Sequence, residues 1–243
     1  MTVISSNNSS IGSIALAGGN EFRSNCIAMD KMLLARFKGS SDRPTRVVII
    51  PTAAVKGSPR AAADNGVRHF NSLGAMASAA LVVTRADADS ARYHDQIRDA
   101  DMVYLAGGDP PYLRDTLRGS AVWAAIRTVY ERGGMIAGSS AGAMVLAARM
   151  RAYGMSGDWV DALHVVPNIV VFPHHRPASQ ESIQTMQRAI GESLFMIGID
   201  EATACLSDEG TTNIWTVAGI GTVTLYTRDG TKVYSQGQQF ILK

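Results

Sequence analysis

The sequence predicts an α/β fold: a mostly parallel sheet flanked by helices, with antiparallel strands added at its C-terminal end. Three observations carry that expectation. Short apolar, β-branched runs alternate with segments of helical spacing from Ile14 to Ile190. Those runs are apolar throughout, as strands covered on both faces must be. After Ile190 the helical spacing stops, and four short strands follow one another across tight turns.

In order, Ile14–Ala17 is the first strand, ending in Gly18-Gly19. Cys26, Met29, Leu33, Leu34 and Phe37 then recur at helical spacing, closed by Gly39. Arg46–Ile50 is a buried-strand run stopped by Pro51, and Ser58-Pro59 opens a helix with a cap and a first-turn proline. Leu81–Val83 reads as a strand, and Asp89 or Ser90 caps a short helix ending near Asp99. Met102–Ala106 is a strand leading into Gly107-Gly108, and Ser120 caps a helix over Ala121–Glu131. Met135–Ala137 is a short strand and Ala141–Arg149 a strong helix former. Ile169–Phe172 precedes a helix from Ser179 to Ile190. The closing strands are Met196–Ile199, Thr203–Leu206, Ile214–Val217 and Thr222–Tyr226, with turns at Glu209-Gly210 and Asp229-Gly230.

Composition narrows the function. Hydrophobic residues make up 46% of the 243 and charged residues 18%, which indicates a globular chain with a substantial core. No linker, repeat or low-complexity segment divides it, so one domain over 1–243 is expected, with residues 1–10 as a flexible tail. The net charge is +2 and the basic residues are scattered, which gives no electrostatic case for nucleic acid. No apolar run is long enough for a bilayer, and the polar start, rich in Ser and Asn, is no secretory signal. A cytoplasmic, membrane-free protein is expected. Cys26 and Cys205 lack both metal-ligand spacing and a disulfide framework, and are read as buried thiols.

In an open α/β sheet, ligands bind beyond the C-terminal strand ends. Gly138-Ser139-Ser140-Ala141-Gly142 lies there, between a strand and a helix. Gly-x-Ser-x-Gly in that setting is a nucleophile elbow. The serine takes a strained conformation, and small flanking residues let strand and helix approach. Ser140 is therefore the candidate nucleophile, with Ser139 second. Gly107-Gly108 also ends a strand, and its N–H groups with that of Ala141 are the expected oxyanion donors. Gly18-Gly19-Asn20-Glu21 lacks the third glycine of a dinucleotide fingerprint.

A serine hydroxyl needs a base. His69 and His94 fall within predicted helices and are read as surface residues, while His164 lies in an apolar stretch and is read as a core histidine. His174 and His175 follow a strand and Pro173, on the same sheet edge as Ser140. His174 is the expected base, with His175 the alternative. For the orienting acid, Asp158 and Asp161 lie between Ser140 and His174. Asp158, in a Gly-containing loop, is the choice; Asp161 and the strand-ending pair Asp200-Glu201 remain open.

Taken together these segments resemble the serine peptidase family of aspartyl dipeptidase (dipeptidase E) and cyanophycinase. The anchors run from Gly18-Gly19-Asn20-Glu21 through Ala106-Gly107-Gly108-Asp109, Gly138–Ala143 and Pro173-His174 to Ile197–Ala204. The resemblance covers roughly Gly12 to Tyr226. It implies a class I glutamine amidotransferase-like, flavodoxin-like fold and a Ser-His-acid triad with Ser140 and His174, and it leaves the acid unassigned. It also implies an aspartyl residue at the scissile bond of a small peptide or isopeptide. Cyanophycinases carry Asp-Gln before the histidine and Gln after Gly-Gly-Asp; Phe172-Pro173 and Pro110 stand here, and only Arg176 and Arg188 are near as basic residues. Cyanophycin is therefore not the expected substrate.

The expected chemistry is acyl transfer without metal or organic cofactor. A glutamine amidotransferase-like amidase would carry Cys at the elbow and Glu two residues after the histidine, where Ser140 and Arg176 stand. A non-catalytic relative that binds a small ligand is the other alternative. The edge of the C-terminal strands offers a surface on which subunits of a homo-oligomer could pair.

Overall fold

The structure, a computed structural model, describes residues 11–37, 43–153, 156–177, 179–191, 193–228 and 230–242. The 1–10 tail, Gly39, Gly154, Met155 and Asp229 of the sequence expectations lie outside them.

Eight strands form the main sheet, in the order β14-β11-β10-β1-β5-β4-β2-β3. Its parallel part is β1 (Ser13–Ala17), β5 (Met135–Ser139), β4 (Met102–Leu105), β2 (Arg46–Ile50) and β3 (Met76–Ala79). β10 (Thr203–Ser207), β11 (Ile214–Gly219) and β14 (Gln239–Ile241) extend it antiparallel beyond β1. A second sheet has the order β13-β12-β9-β8, and in it β8 (Ile169–Phe172) and β9 (Phe195–Ile199) run parallel. β12 (Thr222–Thr227) and β13 (Gly230–Ser235) complete that sheet, while β6 (Arg149–Tyr153) and β7 (Ser156–Asp161) form a separate hairpin.

The parallel strands carry two cores, one on each face. Ile14 and Leu16 of β1 join Val48, Ile50, Val103, Leu105 and Ile136 on one side. Ala15 and Ala17 join Val47, Ile49, Met102, Tyr104 and Met135 on the other. Successive side chains of a strand point to opposite faces, so an unbroken apolar run is what two covered faces require.

The helices are α1 (Ile27–Ala35), α2 (Pro59–Ser72), α3 (Arg85–Ala88), α4 (His94–Arg98), α5 (Pro110–Leu117), α6 (Ala121–Glu131), α7 (Ala141–Leu146) and α8 (Gln180–Ile190). Polar caps set their starts: Ser58, Ser120 and Ser179 accept the N–H groups of Ala61, Trp123 and Ser182. None of the helices among the described residues is long and apolar enough to cross a membrane.

Three expectations shift. The strand after α2 is Met76–Ala79, not Leu81–Val83. β3 is an edge strand, so Met-Ala-Ser-Ala with Met76 exposed suffices there, and Val82 instead plugs the core just past its end. α7 stops at Leu146 because segment 163–166 takes its last carbonyls: Leu163 N–H donates to Val145 O and Val166 N–H to Leu146 O. The stretch holding Asp158 is strand β7 rather than a loop. β13 and β14 go beyond the strands expected from the sequence.

Candidate active site

The site is built where the C-terminal ends of β1, β4, β5, β8 and β9 converge. Ser140 follows β5 with φ 50° and ψ −109°, a conformation that L residues rarely adopt. The turn is held at both ends. Ser140 N–H donates to Ala17 O at 2.9 Å, and Ser140 O accepts from Met144 N–H at 3.0 Å. The two flanking glycines allow close approach: a β-carbon on Gly138 would enter the Gly142 carbonyl, and one on Gly142 would enter Leu105 O. Small residues at both places thus let α7 lie directly on β4 and β5.

His174 lies in the segment after β8, and its N–H donates to Gly18 O at 2.7 Å. The next residue, His175, donates its N–H to Ile199 O at 3.0 Å, so this segment bridges the ends of β1 and β9. The ring of His174 packs on Gly19 (φ +117°). Its Nε2 is 3.0 Å from Ser140 Oγ, and its Nδ1 is 2.8 Å from Glu201 Oε1. A serine hydroxyl, an imidazole and a carboxylate therefore stand in line.

Two sequence assignments need correction. The carboxylate at His174 Nδ1 is Glu201, not Asp158. Asp158 is exposed on β7, in a hairpin that pairs only with itself, whereas β8 and β9 are parallel neighbours whose ends bring His174 and Glu201 together. Glu201 had stood only as an open alternative, because the acid was sought between Ser140 and His174 in the chain. Gly107 lies against Ser140, since its β-carbon would sit 3.1 Å from Ser140 Cβ. Its N–H, however, is taken by Glu21 Oε1 at 2.8 Å. The N–H groups of Gly108 and Ala141 engage no described residue. Gly108 (φ +141°) turns against Ala53, where any β-carbon would strike the Ala53 carbonyl.

The remaining histidines also move. His69 is buried, not at the surface, with Nε2 2.7 Å from Oδ2 of the fully buried Asp30. Burial raises the Asp30 carboxyl above its ordinary range, and the His69 bond opposes that rise only in part. His164 is exposed, near Asp161, rather than in the core. His94 is half-exposed, at the surface end of α4. His175 faces Tyr226 Oη at 2.8 Å and Asp200 at 3.4 Å, away from Ser140. Asp200 in turn accepts the Thr222 N–H and hydroxyl at 2.9 and 2.8 Å, which fixes the start of the Glu201 turn.

Beside Gly107-Gly108 lies a cleft of about 660 Å³, lined also by Ala53, Lys56, Asp109, Pro110 and Tyr153. Lys56 Nζ is 2.7 Å from Asp109 Oδ2. Burial alone would raise the Asp109 carboxyl, but Lys56 and the Tyr112 N–H outweigh it and lower it below the usual range. A larger hollow of about 840 Å³, between α8 and strands β9 and β12, contains none of the three aligned residues.

Fold and elbow together define a serine-type peptidase on a mostly parallel α/β sheet. The model of peptidase family S51 matches residues 13–215, and the chain belongs to that family. A solved peptidase from an acI-B1 actinobacterium is similar over 96% of this chain and 98% of its own, at 27% identity and a TM-score of 0.81. A putative peptidase E protein from Listeria monocytogenes EGD-e shares the fold over 86% of this chain and 99% of its own, at 17% identity and a TM-score of 0.59.

Proposed function

We propose that the chain hydrolyses an amide bond of a small peptide or isopeptide through a Ser140-His174-Glu201 triad. The observation that carries this is the alignment of Ser140 Oγ, the His174 ring and Glu201 Oε1 at 3.0 and 2.8 Å. His174 Nε2 takes the proton of Ser140 Oγ as that oxygen attacks the carbonyl carbon. Glu201 accepts from Nδ1, which fixes the tautomer that leaves Nε2 free as base and stabilises the imidazolium. The oxyanion sits between the N–H groups of Gly108 and Ala141, at the N-terminus of α7. Imidazolium then protonates the leaving amine, and a water activated by His174 releases the acyl group.

The family resemblance points to an aspartyl residue at the scissile bond. The test is a panel of dipeptides and isopeptides, with N-terminal Asp, β-linked Asp-Arg and neutral members, offered to wild type and Ser140→Ala. Cleavage of Asp-bearing members by wild type is expected, with turnover lost by roughly 10⁴ or more in the variant. Turnover retained in Ser140→Ala would overturn the nucleophile, and equal cleavage of neutral members would overturn the aspartyl preference.

A further inference from the structure

Glu21 lies in the turn after β1, and its carboxylate bonds to two different segments of the site. Its Oε1 accepts the Gly107 N–H at 2.8 Å, and its Oε2 accepts the hydroxyl of the fully buried Ser139 at 2.9 Å. Gly107 precedes Gly108, and Ser139 precedes Ser140 and Ala141. One side chain therefore joins the turn after β4 to the elbow after β5. Those two segments carry the N–H groups proposed above for the oxyanion.

The Gly107-Gly108 turn is held at its other end as well. Asp109 N–H donates to Ala53 O at 2.7 Å, and Gly108 lies so close to the Ala53 carbonyl that no β-carbon fits between them. Gly108 thus sits between two anchors, Glu21 before it and Ala53 after it. A glycine pair left to itself has more backbone freedom than any other dipeptide, so a donor built on it depends on such anchors.

The turn that carries Glu21 is itself locked. Asn20 and Phe22 have φ 65° and 63°, a region that a bulky Phe rarely enters. Such backbone persists where its surroundings over-determine it. Asn20 O accepts from Cys26 Sγ at 3.1 Å, and Gly19 O accepts the Ala202 N–H at 3.1 Å. The Phe22 ring lies 5.1 Å from that of Tyr104, in space that Gly66 leaves open by lacking a β-carbon.

We propose that Glu21 is a positioning residue that clasps the two halves of the oxyanion site, holding Gly108 N–H and Ala141 N–H at their working separation before substrate arrives. Donors fixed in advance need no rearrangement when charge develops, which is the source of their effect. This rests on the peptidase function proposed above and adds to it a residue outside the triad, acting through backbone rather than on the substrate.

Reach, not charge, is what a clasp requires. Glu21→Gln keeps the length, an acceptor for the Gly107 N–H and an amide that donates to the Ser139 oxygen, whereas Glu21→Asp keeps the charge and is one methylene too short to span both. The readout is labelling of Ser140 by an alkyl fluorophosphonate, followed by intact mass and peptide mapping across a pH series, with urea melts to place both variants on the folded baseline. In that reaction Ser140 Oγ bonds to phosphorus, fluoride leaves, His174 takes the hydroxyl proton, and the phosphoryl oxygen occupies the oxyanion position. Glu21→Asp is expected to be labelled about 10- to 100-fold more slowly than wild type at every pH, the scale of a donor displaced by about an ångström. Glu21→Gln is expected to stay within about threefold of wild type, since both bonds can be remade. Ser139→Ala, which releases the elbow half alone, is expected to slow labelling about 3- to 10-fold, the worth of one hydrogen bond. Wild-type rates in folded Glu21→Asp and Ser139→Ala would overturn the clasp. So would Glu21→Gln as slow as Glu21→Asp, or a loss that disappears at high pH and so lies in the base. A wild type that is not labelled at Ser140 would instead remove the peptidase reading on which the clasp rests.

Discussion

The imidazole of His174 stands directly on the backbone of Gly19, so that a β-carbon at Gly19 would lie 2.6 Å from Nε2 and 2.9 Å from Nδ1. The glycine pair after β1 is therefore the seat of the histidine. Gly18 contributes in the same way: its carbonyl holds the His174 N–H, and a β-carbon on it would enter the carbonyls of Ile199 and Asp200.

Gly19→Ala follows from that contact. The new methyl meets the ring, and φ +117° disfavours any L side chain. Displacing the ring from Ser140 is expected to lower kcat by about 10²-fold or more, the scale of an ångström's misplacement of a catalytic group. Steady-state kinetics beside a urea melt checks it. Wild-type kcat in a folded variant would mean that the ring does not depend on this seat.

Glu201→Gln tests the acid. An amide at that place can present a donor to Nδ1 and stabilise the wrong tautomer, so a fall in kcat of about 10³- to 10⁴-fold is expected with the fold retained. Asp158→Asn, on the exposed hairpin, is expected to stay within about twofold of wild type. The reverse pattern would return the acid to Asp158.

Cys26 gives a pH signature. Burial first, and then the nearby charge of Asp30, push its thiol up from 9.0 to about 11. In the unfolded chain the thiol loses its proton from about pH 9 upward, whereas the folded protein holds it. The native state then binds more protons, so stability falls as pH rises from 9 toward 11, and this contribution is fully present below pH 9. Urea midpoints across that window should decline less steeply in Cys26→Ala than in wild type. Parallel declines would refute the coupling.

Ser140 and His174 could be singled out as candidates because each lies just past a strand, and a strand end in an open α/β sheet faces the site. The elbow carries its own local signature, two glycines where α7 touches β4 and β5. Glu201 also follows a strand, but nothing local marks it as the partner of His174. Their meeting depends on β8 and β9 being parallel neighbours, since the two residues are 27 positions apart in the chain. Glu21 gave still less sign. Its role arises from the turn after β1 meeting the turn after β4 across β5, a contact spanning 86 residues.

By itself the sequence determined the layered architecture, because apolar runs of strand length alternating with helical periods leave few ways to bury both faces of a sheet. It also singled out Ser140 as the candidate nucleophile, because the steric demands of the elbow are met within five consecutive residues. Tertiary structure alone decided which carboxylate stands at His174 Nδ1, which N–H groups beside Ser140 engage no described residue, and which glycine lies under the ring. Those are distances between residues far apart in the chain, set by strand order and by backbone contacts too close for a β-carbon.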